Sequence, residues 1–406
     1  MFVEILLSVL FGIFLGFITG LIPGIHPNTV FVIIISLSTI FLISSNPVLF
    51  VFIISLSISN TFFDFIPSIL FGAPEEDNTL SILPAHRMLL EGRGYDALFL
   101  VTIGGLGVMF LTIISLPFLF FFLPSLYFTT RPVIHMILIF VVLWMVYTEK
   151  KRLTALFLFI LSGLFGFITL SSFPSSITIF PALTGLFGIS TLVTSIVHRT
   201  KIPTQKVANE VHADWLKGSL TGWIAGLFSG LLPGLGSSQT GVLAAQMLKT
   251  KMKEFLIALG GINTANIFFT FLLFYFTGKI RSGAIWAISQ ITDELTLNDV
   301  YMLVIVAIFT SLISAVLTIK IGKYFLRKMK IIDYTKFASF IIISLIFLVI
   351  LFSGFVGLLI AITGTFLGLF TIYSGVRRTH LMGFLVLPTI LYFSGLNPIL
   401  INILWS

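Results

Sequence analysis

Cysteine is absent from this 406-residue chain, so neither a disulfide framework nor a thiolate metal site can be built. Charge is scarce too: Asp, Glu, Lys and Arg make up 9% of the residues, against roughly 25% in soluble domains. So few charges cannot cover a water-exposed surface, which excludes a soluble globular protein. Motifs that would mark an ATP-driven pump or a membrane hydrolase are missing as well. No G-x-x-x-x-G-K-[ST] phosphate loop, G-x-S-x-G elbow or H-E-x-x-H pair occurs. Catalysis is not expected, and any energy must come from an ion gradient or from the substrate's own gradient. The opening "MFVEILLSVLFGIFLG" has no basic n-region and runs straight into a Pro-Gly motif, so it reads as a retained segment, not a cleaved signal.

What is present is apolar. Hydrophobic residues make up 57% of the chain, and the mean hydropathy is +1.14. Runs such as "ILIFVVLWMV" (138–147) and "FASFIIISLIFLVILFSGF" (337–355) approach or reach the roughly 20 residues that cross a bilayer. The chain reads as an all-α polytopic protein of the cell membrane, with membrane lipids as its surroundings. Its net charge of +8 would suggest nucleic acid in a soluble protein. Here the basic residues read instead as loop residues that fix orientation, and no nucleic-acid partner is expected.

Two stretches are near-copies. "GLIPGIHPNT" (20–29) returns as "GLLPGLGSSQT" (230–240), so that Gly12, Gly16, Gly20, Pro23 and Gly24 fall on Gly222, Gly226, Gly230, Pro233 and Gly234. A second block repeats in the same order: "NTFFDFIPSILFG" (60–72) aligns with "NIFFTFLLFYFTG" (266–278). The chain therefore divides into an N-terminal repeat, 1–197, an inter-repeat loop, 198–216, and a C-terminal repeat, 217–406. Each repeat reads as a Gly/Pro-broken element (about 3–45 and 217–248) and five further apolar segments. In the first repeat these are 48–72, 97–123, 132–148, 153–171 and 177–197. In the second they are 254–278, 298–319, 332–352, 354–375 and 381–397.

If each broken element is a re-entrant hairpin, each half crosses five times and the halves have inverted topology. With both termini outside, only Arg131, Lys279 and Arg281 of the 23 basic residues then lie outside. That is a strong positive-inside bias. Full crossing by the broken elements would carry Lys249, Lys251 and Lys253 outside, so the hairpin plan fits better. Inverted repeats around broken helices are a recurring plan of secondary transporters.

The Pro-Gly pairs open backbone N–H and C=O groups where no bulk water exists, and this is tolerated only in buried protein or beside a wet cavity. A helix restarting after the break points its N–H groups at that cavity and favours an anion such as a carboxylate. The expected substrate cradle is Gly20, Pro23, Gly24, His26, Asn28 and Thr29 from the first copy. The second copy supplies Gly230, Pro233, Gly234, Gly236, Ser237, Ser238 and Thr240. One such pair alone would be a kink, but two at matched positions point to a site. The Gly ladders upstream read as close helix packing.

A coupling-cation site is expected from Asn60, Thr61, Asp64, Asn263 and Asn266, polar residues within apolar runs. Carboxamide and hydroxyl oxygens suit Na⁺, and interhelical hydrogen bonding is the alternative. Asp64 is an intramembrane acid, a functional candidate for a cation or proton. Its repeat partner is Thr270. His26, whose counterpart is Gly236, reads equally as a titratable coupling group or a structural turn residue. In the loop "APEEDNTLSILPAHRMLLEGRGYD", His86, Arg87 and Arg93 could attract anions at a mouth, or the stretch is a solvated helix.

At these residues the chain resembles the large permease subunit of tripartite tricarboxylate transporters (the TctA-like family), in a short, divergent version. The resemblance rests on "GLIPGIHP", "GLLPGLGSS", "GINTANIFF", "EGRGYDAL" and "LTGLFGIST" (183–191). The family usually has a small-residue P-G-[ST] where this chain has "GAPEEDN", and Asn-Asn where it has "NTAN". The resemblance implies a gradient-driven transporter of an organic anion of the di- or tricarboxylate kind. It leaves open the binding-protein and small membrane subunits of the tripartite system.

The reading is thus a cation-coupled secondary transporter of a small organic anion, working by alternating access as a symporter. No cofactor is expected, and no metal beyond Na⁺; Na⁺ or H⁺ is the coupling ion. A homodimer is compatible with this plan. The alternatives are a polyprenyl-phosphate or lipid-phosphate transporter and, in another class, an ion channel, with a structural or assembly role more remote.

Overall fold

The computed structural model describes residues 2–22, 27, 30–31, 46–71, 82–197, 203–206, 211–232, 237, 240–241, 244, 247–328 and 334–397. Helix is the only regular structure among them. In chain order the helices are α1 (Phe2–Leu21), α2 (Asn46–Phe63), α3 (Phe65–Phe71), α4 (Ile82–Leu90) and α5 (Gly94–Thr130). Then follow α6 (Ile134–Tyr147), α7 (Arg152–Ser172), α8 (Ser175–Leu183) and α9 (Ser190–Val197). The second half holds α10 (Trp215–Leu231), α11 (Met252–Thr277), α12 (Gly283–Ser289), α13 (Leu297–Lys328), α14 (Tyr334–Ser374) and α15 (Gly383–Phe393).

Eight described helical stretches are long and apolar enough to cross a bilayer. Two of them, of 54 and 37 residues, are about twice the length one crossing needs. The shorter, Ala338–Ser374, lies within α14, where Gly354 takes φ 62° and ψ −157° inside the helix. That non-helical residue is the first of the expected segment 354–375, at the junction with the expected segment 332–352. The expected segment 48–72 is matched by the membrane-length stretch Pro47–Leu70, whose helix is interrupted at Asp64. Pro67 explains the break: it has no N–H to give the Phe63 carbonyl, and its ring crowds that turn.

Helices α1–α5 and α10–α13 pack into one bundle, and α6–α9, α14 and α15 into a second. A turn at Arg131–Val133 joins them. Leu232, just after α10, shares a buried cluster with Ile134 and Leu138 of α6 and Val386 of α15.

The glycine ladders set the first bundle. In α1, Gly12 and Gly20 press so closely on α2 that a Cβ would lie 2.7 Å from the Ser55 and Phe63 Cβ atoms. In α10, Gly218 and Gly230 press likewise on α11, where a Cβ would lie 2.7 Å from the Cβ atoms of Ile257 and Phe269. Gly20 and Gly230 are matched positions in the repeat, and so are Phe63 and Phe269. Equivalent sequence therefore makes equivalent contacts.

The longer helices exchange partners between halves. Helix α5 packs along α11, whereas α13, its counterpart, packs along α2. In the second bundle α7 packs on α15, while Ile360 and Leu367 of α14 cluster with Ala182, Leu183, Leu186 and Phe187. Large apolar side chains such as Phe121, Phe355 and Phe366 are exposed, as a lipid-facing surface requires.

Residues Thr184–Ile189, the "TGLFGI" stretch, form a π-helical turn between α8 and α9. A π turn displaces carbonyls from their usual i+4 donors. Buried Arg378 meets them: its Nη2 donates to Leu186 O at 2.8 Å, Phe187 O at 2.7 Å and Ser190 Oγ at 2.8 Å. Its Nη1 donates to Thr191 Oγ1, and its guanidinium lies 5.2 Å from the Phe187 ring centroid. Burial pulls the Arg378 pKa down to about 9, which leaves it charged at neutral pH. Charge-assisted hydrogen bonds carry about 1.5–3 kcal/mol. Arg378→Met should therefore cost about 2–3 kcal/mol in an SDS-unfolding titration. Wild-type stability in that variant would mean that the π turn holds itself.

Candidate functional site

Both Pro-Gly motifs begin against matched places on their partner helices. A Cβ on Gly20 would lie 2.9 Å from the Asp64 nitrogen, so the end of α1 sits on the α2–α3 break. A Cβ on Gly230 would lie 3.5 Å from both Asn266 Oδ1 and the Thr270 nitrogen. Pro23, Gly24, His26, Asn28, Thr29, Pro233, Gly234, Gly236 and Ser238 lie outside the described residues. Ser237 and Thr240 are described and buried, and the Thr240 hydroxyl donates to the Ser237 carbonyl at 3.1 Å. The Ser237 hydroxyl itself has no hydrogen-bond partner among the described residues.

The five residues expected to hold a cation lie on α2, on α11 and at the α2–α3 break. The two helices touch where Thr61 Oγ1 and Thr264 Oγ1 stand 3.1 Å apart. Thr61 also donates to the Ile58 carbonyl at 2.8 Å, so its one proton is committed and Thr264 must be the donor between the two hydroxyls. One residue before Thr61, Asn60 Nδ2 donates to Thr19 Oγ1 of α1 at 3.1 Å. This ties the first motif's helix to the same place. Asn263 is buried one residue before Thr264, and Asn266 is half-buried two residues after it. Asn266 Oδ1 is a buried acceptor with no donor among the described residues, beside the start of the second motif.

Asp64 is 3% exposed, and its backbone carbonyl accepts from the Ser68 hydroxyl at 2.7 Å. A carboxylate held at the C-terminal end of α2, next to the Phe63 carbonyl stripped of its helical donor, suits a cation. Negative helix-end carbonyls and the acid act in the same direction. Its repeat counterpart Thr270 instead donates to Asn266 O at 2.9 Å within an unbroken helix. The two half-sites are therefore chemically unequal.

Of the two readings of the stretch after α3, the described residues 82–97 do not favour the anion-attracting mouth. His86 is buried, with Nδ1 2.9 Å from Ile69 O; that carbonyl can only accept, so Nδ1 carries the proton. Burial pushes the His86 pKa below its usual value, leaving a neutral ring at pH 7 that attracts no anion. Arg87 is exposed and paired with Glu91 at 3.2 Å, and Arg93 pairs with Asp96 at 3.2 Å.

Sequence reasoning passed over two polar groups. One is a clasp at the α6–α7 turn, where buried Glu149 lies 3.5 Å from Arg377 Nε and 3.4 Å from His380 Nε2. The other is the hydroxyl face of α13, made of Thr310, Ser311, Ser314 and Thr318, each fully buried. Its signal was the spacing in "TSLISAVLT" (310–318), polar residues three or four apart in an apolar run.

The sequence model of the "Tripartite tricarboxylate transporter TctA family" matches residues 6–383. An uncharacterized protein of Methanocaldococcus jannaschii is 31% identical over 354 residues, covering 84% of this chain and 88% of that protein. No solved structure matches the chain.

Proposed function

This chain belongs to the tripartite tricarboxylate transporter TctA family, and from that premise we propose that it is a secondary transporter of a small organic anion of the di- or tricarboxylate kind, coupled to Na⁺ or H⁺ and working by alternating access. The observation that carries the reading is the convergence at Thr61 and Thr264. There, polar residues from both halves meet inside the apolar bundle, and each Pro-Gly motif starts from the helix that flanks them. Substrate carboxylates would take the freed N–H groups of the two motifs, with Ser237, Thr240 and the small residues beside them. The cation would take Asp64, Asn60, Thr61, Asn263 and Asn266.

The exchange of helix partners between halves supports two repeats related by a pseudo-two-fold axis, with inverted orientation and re-entrant motifs. The cell membrane, with both termini outside, is the location that the charge distribution favours. The tripartite family implies a binding protein and a small membrane subunit as partners.

Uptake of radiolabelled citrate and succinate into proteoliposomes, with and without Na⁺ and pH gradients, tests the reading. Gradient-dependent accumulation of a carboxylate is expected. Pro23→Ala and Pro233→Ala should each reduce that uptake at least about tenfold, since each restores a helical donor where the site needs an open backbone. Wild-type rates in both variants would make the motifs packing features, and uptake independent of every gradient would rule out a symporter.

A further inference from the structure

The commonest partner of a buried Ser or Thr hydroxyl among the described residues is a carbonyl three or four residues back. Ser57 donates to Ile53 O, Thr102 to Leu98 O, Thr112 to Val108 O, Ser190 to Leu186 O and Thr371 to Leu367 O. This is the ordinary way to satisfy a hydroxyl inside an apolar helix. On α13 the rule fails three times on one face. Ser311, Ser314 and Thr318 are each 0% exposed, and none of their hydroxyl oxygens has a hydrogen-bond partner among the described residues.

Their spacing, i, i+3 and i+7, places them in one row along the helix. The row begins beside Thr310, whose Oγ1 donates to Ser55 Oγ of α2 at 3.3 Å. It ends near Gly322, which abuts Leu98 of α5. Helix α13 packs against α2, α3 and α5, so the row lies on the helix that closes over the two segments flanking the Asp64 break. A buried hydroxyl without a partner costs about 1–3 kcal/mol, and three in register would be an unexplained loss. Groups of this kind are ordinarily satisfied by water or by an ion.

We infer that Ser311, Ser314 and Thr318 form a further cation-binding position, in which the hydroxyl oxygens and accompanying water hold a small hydrated cation, Na⁺ or hydronium, beside Asp64. The assignment rests on the cation-coupled reading above and extends it to a helix that reading does not use. Charge decides between cation and anion. Asp64 lies between α2 and α3, both of which pack against α13, and its carboxylate repels a substrate carboxylate. The basic residues of α13 (Lys320, Lys323, Arg327 and Lys328) all follow the row and lie past Thr318. Hydroxyl oxygens are hard, neutral ligands of the type that such cations accept.

The test is thermal unfolding of the purified full-length protein, with NaCl replacing choline chloride at constant ionic strength, and separately with pH lowered in choline. A ligand that binds only the folded state raises the unfolding midpoint with its concentration. In the wild type, one of the two titrations should raise the midpoint to saturation. In Ser311→Ala/Ser314→Ala/Thr318→Val, the half-maximal concentration should rise at least about tenfold, the equivalent of one lost hydrogen-bonding ligand. The single variant Ser314→Ala should move it in the same direction, and Thr318→Ser should leave it unchanged.

In choline at neutral pH the alanine variants should melt at or above the wild-type temperature, because they remove a partnerless hydroxyl. A role in packing alone would lower it. An unchanged half-maximal concentration in the triple variant overturns the inference. If Asp64→Asn abolishes the response while the hydroxyl variants keep it, the coupling site stands and this position falls. A wild type that answers neither Na⁺ nor protons removes the coupling reading, and this position with it.

Discussion

Asp64→Asn should raise the cation concentration that half-saturates uptake by at least about 100-fold. The substitution keeps the shape of the side chain and removes its charge from a site that is 3% exposed. Removing one partner of a buried ionic contact costs about 3–5 kcal/mol, and each 1.4 kcal/mol is about tenfold in binding. Folding should survive. The break at Asp64 is made by Pro67, and the backbone bonds around it, from Asp64 N to Asn60 O and from Ser68 N to Asp64 O, do not use the carboxylate. Uptake measured against cation concentration in proteoliposomes checks this. A wild-type cation dependence in the variant would remove Asp64 from coupling and leave it a structural acid. Asp64→Glu keeps the charge but moves it by one carbon, and should fall between the two.

The second large effect is on assembly of the first bundle. Gly260→Val should abolish recovery of monodisperse protein in size-exclusion chromatography. A Cβ at Gly260 would meet the Val101 carbonyl, and one at Gly104 would meet the Ile257 carbonyl, so α5 and α11 touch backbone to backbone in both directions. Ordinary overpacking costs about 1–3 kcal/mol because side chains give way. Here the obstacle is a helix carbonyl, and separating the helices would strip Leu100, Val101, Ile257 and Leu259 from the core. That loss is comparable to the whole of a typical fold's stability, about 5–15 kcal/mol.

Gly278 is the contrast. It also requires glycine's freedom, with φ 64°, but nothing lies within 4 Å of the place a Cβ would take. Gly278→Ala should cost only the roughly 1–2 kcal/mol of left-handed backbone and yield folded protein. Equal recovery of Gly260→Val and Gly278→Ala would show that the α5–α11 contact does not hold the bundle together.

The helical architecture was legible because a bilayer leaves few solutions. Every backbone group must be satisfied within its own segment, so apolar length alone marks the crossings. The Gly ladders were legible too, since glycine every fourth residue leaves a groove that only another helix fills. Asn60, Thr61, Asp64, Asn263 and Asn266 could be picked out as polar residues in apolar runs. Their residue types did not say that Thr61 meets Thr264 across 203 positions of chain. That pairing depends on how α2 and α11 cross.

Other features needed the fold itself. The break at Asp64 follows from Pro67, yet its position under Gly20 exists only because the α1 ladder seats that helix on α2. Arg378 looked like one more basic loop residue, and only packing of the α14–α15 connection against the π turn shows it as the group that satisfies stranded carbonyls. The α13 hydroxyls carry no motif that sets them apart in the sequence. Whether such a hydroxyl bonds its own helix or is left for an ion depends on which helices close over it. Sequence thus determined the membrane class, the helices and the repeated motif, because these follow from local hydrophobicity and backbone chemistry. Tertiary structure decided which polar groups meet and which remain unsatisfied, because those depend on contacts between helices far apart in the chain.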